Sequence, residues 1–302
     1  MNNQDLKGLL EVFDNNVRLD YDLKKKNWFN IGGKTKVFFK GKTLKELIKF
    51  LKIIDNKSKI FILGAGSNTL ITDETYNGIV IKLSNNFNNI SLLADNIIIA
   101  GSAVTDKSLS EFAMNNGLSG FEFLSCIPGT IGGGIKMNAG CFGREFKDIL
   151  ISVQAINKFG KVITIPSKDI NFKYRSSDLS DGLIFLSASF QGKKKMPIII
   201  KNEILKLKAK KEITQPTRMK TSGSTFKNPV DQTDKKVWQL IKDSVPLGKS
   251  FGDAYISEKH CNFFINKGNA KFKDMRKLIE YVSKSVLKKT GVRLEKEIKI
   301  LE

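Results

Sequence analysis

An α+β protein of more than one domain is what this sequence predicts, on three observations. Its 302 residues exceed what a single hydrophobic core of ordinary size organises. Short apolar runs, of strand length, are interspersed with segments whose apolar residues recur at helical spacing. The character also changes near Lys201. Two glycine-rich loops lie before that point, and a lysine-rich segment, a polar loop and a long amphipathic stretch lie after it.

The elements follow in chain order. MNNQDLKGLLEVFD is polar and reads as a short helix without the apolar stretch of an export signal. A basic turn after Asp22 leads through Gly32-Gly33 into a short strand ending near Lys40. Thr43 and Glu46 form a capping box, and Leu44, Leu47, Ile48, Leu51 and Ile54 make one face of the helix behind it. KIFIL (59–63) is a strand, TLITD after Asn68 is extended, and 78–83 and 96–101 are further strands. Ser108 and Glu111 offer a second capping box, opening a helix that stops at Gly117. Residues 150–165 alternate like a hairpin turning at Lys158–Gly160, and a strand at 183–190 precedes the basic turn QGKKKMP. A lysine-rich helix spans Glu203–Glu212, and another helix lies around Val237–Asp243. The long amphipathic helix buries Phe272, Met275, Leu278, Ile279, Val282 and Val286 and stops at Gly291, leaving VRLEKEIKIL as a closing strand.

The glycine loops carry the chemistry. Gly64-Ala65-Gly66-Ser67-Asn68 directly follows a strand. The segment 117–143 holds Gly117, Gly120, Gly129, Gly132, Gly133, Gly134, Gly140 and Gly143 with almost no charge. Glycine costs the most conformational entropy to order, so such a density implies tight turns or close backbone approach to a ligand. Backbone N–H groups exposed in such turns bind anions. The first loop lacks the third glycine of a dinucleotide-binding GxGxxG and leads into an extended segment, and there is no GxxxxGK[ST], so Rossmann and P-loop sites are excluded.

Composition narrows the class further. The apolar fraction of 41% and charged fraction of 27% are those of a globular protein, and no apolar run approaches the ~20 residues that span a bilayer. The net charge of +21 invites nucleic acid, but the lysines are scattered and accompany no zinc-finger spacing, aromatic RNA-binding pattern or basic arm. A basic surface also suits an anionic small molecule. Cys126, Cys141 and Cys261 form no CxxC pair, which fits a reducing compartment, and with the single His260 there is no histidine-based metal cluster. The expectation is a cytoplasmic monomer that binds neither membrane nor nucleic acid.

Seven segments, in order, resemble one family. They are NWFNIGGKTKVFF, ILGAGSNTLITD, GLSGFEFLSCIPGTIGGGIKMNAGCFG, FKYRSS, SGSTFKNP, ISEKHCNFFIN and LEKEI, and together they cover roughly residues 27–300. The sequence is thereby similar to the UDP-N-acetylenolpyruvoylglucosamine reductase (MurB) family. The resemblance implies an α+β architecture with an FAD-binding domain of the vanillyl-alcohol-oxidase type. Two α/β subdomains, 1–90 and 91–200, would hold the flavin. A smaller α+β domain, 201–296, would take the substrate, with 297–302 returning to the first subdomain. Gly64, Ala65, Gly66, Ser67 and Asn68, with Pro128, Gly129, Thr130, Ile131, Gly132 and Gly133, would hold the FAD pyrophosphate. Asn138, Ala139 and Gly140 would lie nearby along the flavin.

The implied reaction passes a hydride from NADPH through FAD to the vinyl carbon of UDP-N-acetylglucosamine enolpyruvate, a step of peptidoglycan precursor synthesis. It needs a cation for the developing enolate and an acid for the adjacent carbon. By likeness Arg175 holds the carboxylate, Ser224 donates the proton and Glu297 assists. Tyr174, Lys227 and Asn228 match substrate-contact positions. Ser222 is the neighbouring alternative hydroxyl, and Glu295, two residues before Glu297, would share its strand face. No metal is implied. The chain has no room between Ser177 and Lys201 for the tyrosine-bearing loop of one subgroup, so it resembles the shorter subgroup.

Overall fold

The computed structural model describes residues 3–13, 15–54, 58–246 and 248–302. Of the N-terminal helix expected over 1–14, Met1, Asn2 and Asp14 lie outside the described residues. The chain forms two compact units. The first comprises Met1–Leu19, Val37–Ala65 and Asn77–Lys210; the second comprises Asp20–Lys36, Gly66–Tyr76 and Lys211–Glu302. The change of character near Lys201 therefore falls close to a unit boundary, but two earlier pieces of chain belong with the C-terminal part.

The first unit opens with helix α1 (Asn3–Phe13). A four-stranded sheet follows in the order Val17–Asp22, Lys34–Gly41, Tyr76–Leu83, Ile60–Ile62, of which residues 17–19, 37–41, 77–83 and 60–62 belong to this unit. Helix α2 (Leu44–Ile53) is capped by Thr43, whose Oγ1 accepts from Glu46 N at 3.2 Å. The reciprocal bond goes to Lys42 N rather than to Thr43 N, so the capping box is displaced by one residue. α2 buries Leu47, Phe50 and Leu51, whereas Leu44 is exposed. Phe50, outside the expected face, stacks on Phe39 of the sheet with centroids 3.9 Å apart.

The same unit holds an antiparallel five-stranded sheet in the order Val162–Pro166, Leu150–Ile156, Ile184–Gln191, Ile97–Gly101, Ile90–Ala94. The 150–165 hairpin is present, with Ile156 opposite Val162. Helix α3 (Asp106–Asn115) begins earlier than expected, because Thr105 is the cap and its Oγ1 accepts from Ser108 N at 3.1 Å. Ser108 and Glu111 thus lie inside the helix. Gly117, at φ +66°, follows its end. Helix α4 (Ile131–Met137) is built from the glycine stretch itself. Gly134 is required there: a Cβ would stand 2.3 Å from the Phe146 ring. Helix α5 (Pro197–Thr214) starts at a proline, which suits the first helical position. It therefore includes the Ile198–Ile200 run that sequence periodicity leaves outside the helix.

In the second unit helices α6 (Val237–Ser244) and α7 (Phe272–Thr290) pack together, and α7 covers a three-stranded antiparallel sheet of Ser250–Phe251, Ala254–Ile256 and Phe264–Asn266. All six apolar residues expected on the buried face of α7 are buried, and Gly291 ends it at φ +73°. The closing strand is shorter than expected. Only Lys299–Leu301 pairs as a strand, in parallel with Thr69–Ile71. A core of Phe29, Leu70, Phe226, Phe264, Met275 and Leu278, among others, fills this unit.

Candidate active site

In the first unit Gly64, at the start of the first glycine loop, meets Thr130 of the second. A Cβ on Gly64 would lie 2.6 Å from Thr130 Oγ1, so the absence of a side chain lets the loops close on one another. The segment Ser102–Asp106 runs beneath 129–132 like a strap. Asp106 N donates to Gly129 O, Ile131 N to Val104 O, and Gly132 N to Ser102 O at 2.9 Å. These bonds sort the expected anion donors. The N–H groups of Ile131 and Gly132 are taken by the strap, whereas those of Gly64, Ala65, Gly129, Thr130 and Gly133 donate to no protein acceptor among the described residues. Gly133 is exposed, and a Cβ there would meet only Thr130 Oγ1 at 3.7 Å, so open space stands over it. Lys82 adds a charge that sequence reasoning missed: its Nζ donates to Gly64 O at 2.6 Å. Unbonded N–H groups, open space and a nearby ammonium fit a pyrophosphate.

Two buried strap side chains have unpartnered oxygens. Asp106 is fully buried and neither carboxyl oxygen has a hydrogen-bond partner among the described residues; Ser102 Oγ is likewise buried and unpartnered among them. Burial holds the Asp106 carboxyl well above the usual carboxylate range.

The segment after α4 is organised by Asn138. This residue is fully buried in the left-handed region at φ 42°, where asparagine is among the tolerated types. Its Nδ2 donates to Glu145 Oε2 at 2.9 Å and to Lys173 O at 3.1 Å, and its Oδ1 accepts from Lys147 N at 3.1 Å. Its amide is engaged by protein on both sides, so Asn138 shapes the segment expected to lie along the flavin. Ala139 is tied through its main chain, donating to Gly134 O and accepting from Phe146 N.

Arg175 belongs to the same cluster. Its Nη2 donates to Gly140 O at 2.7 Å, its Nη1 lies 3.8 Å from Glu145 Oε1, and the guanidinium sits over the Tyr174 ring at 4.9 Å. The backbone is strained at φ +56°, a region uncommon for residues other than glycine, and such strain concentrates at functional sites. Gly140 leaves room for this approach, since a Cβ would stand 3.1 Å from Arg175 Nη1 as well as 2.3 Å from Arg144 O. Glu145, bonded by Asn138 and paired with Lys147 Nζ at 3.0 Å, was not legible as a site residue.

The second unit gathers the remaining expected residues. Gly66 sits at φ +68°, and a Cβ would lie 2.2 Å from Lys26 O, so only glycine fits. Ser67 is half-buried, and Asn68 Nδ2 donates to Glu297 O at 3.0 Å. The polar loop 222–229 is held by Asn262, which accepts from Phe226 N at 3.0 Å and donates to Phe226 O at 2.8 Å, while its own carbonyl accepts from Thr225 N. Glu297 N donates to Thr225 O at 2.8 Å, tying the terminal segment to this loop.

The paired alternatives separate in this frame. Ser222 is buried and its Oγ donates to Thr69 O at 3.3 Å, whereas the hydroxyl of the half-buried Ser224 makes no hydrogen bond among the described residues. Glu295 is exposed and pairs with Lys227 Nζ at 2.6 Å, whereas Glu297 is half-buried. Asn228 Oδ1 accepts from Val237 N at the start of α6. His260 packs edge-on against Phe263, and burial lowers its pKa from 6.5.

Residues 35–166 match the family described as FAD binding domain, and residues 215–301 match that described as UDP-N-acetylenolpyruvoylglucosamine reductase, C-terminal domain. A UDP-N-acetylenolpyruvoylglucosamine reductase of Pelagibacter ubique is 65% identical over both chains in full. That of Rickettsia typhi is 42% identical, covering 97% of this chain and 98% of its own. The crystal structure of the Thermus caldophilus enzyme superposes with a TM-score of 0.81 at 29% identity, over 95% of this chain and 98% of the other.

Proposed function

The chain belongs to the UDP-N-acetylenolpyruvoylglucosamine reductase family, and on that premise we propose that Arg175, Ser224 and Glu297 carry its chemistry. It is an FAD-dependent oxidoreductase that uses NADPH to reduce UDP-N-acetylglucosamine enolpyruvate in peptidoglycan precursor synthesis. Bound FAD supplies the hydride relay between NADPH and the vinyl carbon. Residues 1–200 serve the flavin and 201–296 the substrate, a functional division supported by the matched segments.

The observation that carries the residue assignment is the contrast between two serines: Ser222 Oγ is engaged and buried, and Ser224 Oγ is unengaged. A hydroxyl that is to deliver its proton to a carbon must not be donating it elsewhere. Serine is a weak acid, so Ser224 transfers the proton only as negative charge develops on the adjacent carbon. Arg175 supports that development, because its planar guanidinium accepts a carboxylate in bidentate fashion and stays charged throughout. Gly140 O and the Tyr174 ring hold it pre-oriented, so little reorganisation accompanies substrate binding. Glu297 assists the enolate as a neutral or paired carboxyl. Lys227 and Asn228 orient substrate from the same loop as Ser224.

On the flavin side, the unbonded N–H groups of Gly64, Ala65, Gly129, Thr130 and Gly133 receive the pyrophosphate, and Lys82 reinforces the field there. Ser67 and Asn68 continue the first glycine loop, and Ile131 and Gly132 act by fixing the second. Among the described residues no helix is long and apolar enough to cross a membrane. We place the enzyme in the cytoplasm as a monomer acting on a UDP-sugar.

An anaerobic absorbance titration tests the reading. NADPH bleaches the flavin band, and UDP-N-acetylglucosamine enolpyruvate restores it in full. Bleaching without recovery points to another oxidant of the same flavin fold. A protein that stays colourless after incubation with FAD removes the reading altogether.

A further inference from the structure

The strap beneath the second glycine loop holds a carboxyl that the reaction does not use. Asp106 is the first residue of α3, its side chain is fully buried, and both its oxygens lack partners. Gly129 lies directly against it: a Cβ there would stand 2.4 Å from Asp106 Oδ2. Asp106 N also donates to Gly129 O, so the residue touches this loop through both main chain and side chain. A buried carboxylate without donor or counter-ion is costly enough to keep its proton instead.

The α3 N-terminus favours the ionised form, but among the described residues no side chain offers it a donor or counter-ion. On its own helix the charged groups are Lys107 and Glu111, exposed and paired with each other at 3.6 Å, and Ser110, one turn on, has a buried and unpartnered hydroxyl. The 3₁₀ turn Glu122–Cys126 packs against α3 and brings Glu122, whose Oε2 accepts from Gly120 N, and the thiol of Cys126. Leu118–Ser119, also packed on α3, the strap 102–105 and the loop 128–133 bring no titratable side chain.

We propose that Asp106 is a positioning residue for FAD: it keeps its proton while the pyrophosphate occupies the loop 128–133, and losing that proton releases the flavin. This role rests on the reading of that loop as the pyrophosphate cradle. Neutral Asp106 lets the open N–H groups of Gly129, Thr130 and Gly133 face the phosphates without opposition. Ionised Asp106 places a negative charge against Gly129, opposing the phosphates and attracting water under the loop. With no exposed surface, the carboxyl acts through the loop rather than by touching the ligand. Linkage fixes the sign. Bound FAD raises the proton affinity of Asp106, so binding takes up a proton above the pKa of the apoprotein group, and affinity falls as pH rises.

The test uses apoprotein and FAD, read by flavin fluorescence quenching and by titration calorimetry in two buffers of different ionisation enthalpy. Wild-type protein is expected to take up a growing fraction of one proton per FAD as pH is raised, and its Kd to be at least tenfold higher at the alkaline end of the titration. Asp106→Asn, neutral at every pH, is expected to show a flat Kd and none of that uptake. No proton uptake by the wild type overturns the proposal, and that arm needs no variant to fold. Equal pH dependence in wild type and Asp106→Asn overturns it as well. Gly133→Val separates the two readings, since its side chain enters open space within the cradle. If that variant binds FAD as tightly as wild type, the cradle assignment fails before Asp106 is at issue.

Discussion

The surroundings of Arg175 and of Ser224 are built in opposite ways. Around Arg175 almost every contact is made by side chains: Asn138 and Lys147 hold Glu145, Glu145 and Gly140 O hold the guanidinium, and Tyr174 lies under it. Around Ser224 the bonds are made to main chain, through Asn262 and Glu297 N, and the functional hydroxyl is left alone. The difference follows from what each group must do. A guanidinium keeps its protons, so bonds to it only fix direction. The hydroxyl proposed to surrender its proton cannot be fixed by donating it, and in its place the loop is fixed.

The largest test of this contrast is Ser224→Ala. Flavin reduction by NADPH should be unchanged, while reoxidation by the enolpyruvyl substrate slows by about 10²–10⁴-fold, the usual range for a lost general acid. Rapid-reaction absorbance separates the halves, and equal slowing of both would remove Ser224 from the proton-donor role. Next is Asn262→Ala, which strips two partners from the buried main chain of Phe226. We expect a loss of about 3 kcal/mol in denaturant unfolding, from groups worth about 1–3 kcal/mol each when left unsatisfied. Reoxidation should weaken along with stability, whereas undiminished stability would show that the loop is held by other means.

Glu297→Gln and Glu295→Gln sharpen the comparison within the terminal segment. The first should depress reoxidation alone. The second disrupts a pair with one exposed partner, Lys227–Glu295, and should shift stability by no more than about 1 kcal/mol. Reversed effects would exchange the two assignments. The smallest effect concerns His260, whose pKa burial lowers. Because the unfolded chain binds the proton more readily, stability is full above the unfolded value of about 6.5 and declines as pH falls through the folded one. Thermal denaturation of His260→Gln should show a shallower decline across that window.

What could be read from sequence was what local periodicity controls. The buried face of α7 was legible in full because its six residues obey a 3.6-residue repeat. The strand Ile90–Ala94 was not, since Leu92 and Leu93 are both exposed and no alternation marks an inward face. The start of α3 was misplaced because Ser108 and Glu111 match a capping box, yet Thr105 caps first. In the site, glycine density marked both loops. Asn138 was legible as a residue of the loop but its bonds to Glu145, Lys147 and Lys173 were not, because an amide in a glycine loop has the same signature whatever it bonds. Asn262 lies 36 residues from its partner Phe226, and nothing in its neighbours marks it.

The pairing of residues 299–301 with 69–71 has a consequence for synthesis. Asn68 and Glu297, which share a hydrogen bond, are 229 residues apart. At roughly 5–20 residues per second, the ribosome takes roughly ten to fifty seconds to make that span. Throughout that interval the Thr69–Ile71 edge has been translated and its partner has not. The five-stranded sheet of residues 90–191 can meanwhile assemble from chain already made. Birth order therefore favours a five-stranded sheet that folds early and a 222–229 loop, the proposed proton-donor loop, that is tied down last, with an unpaired strand edge as the hazard in between.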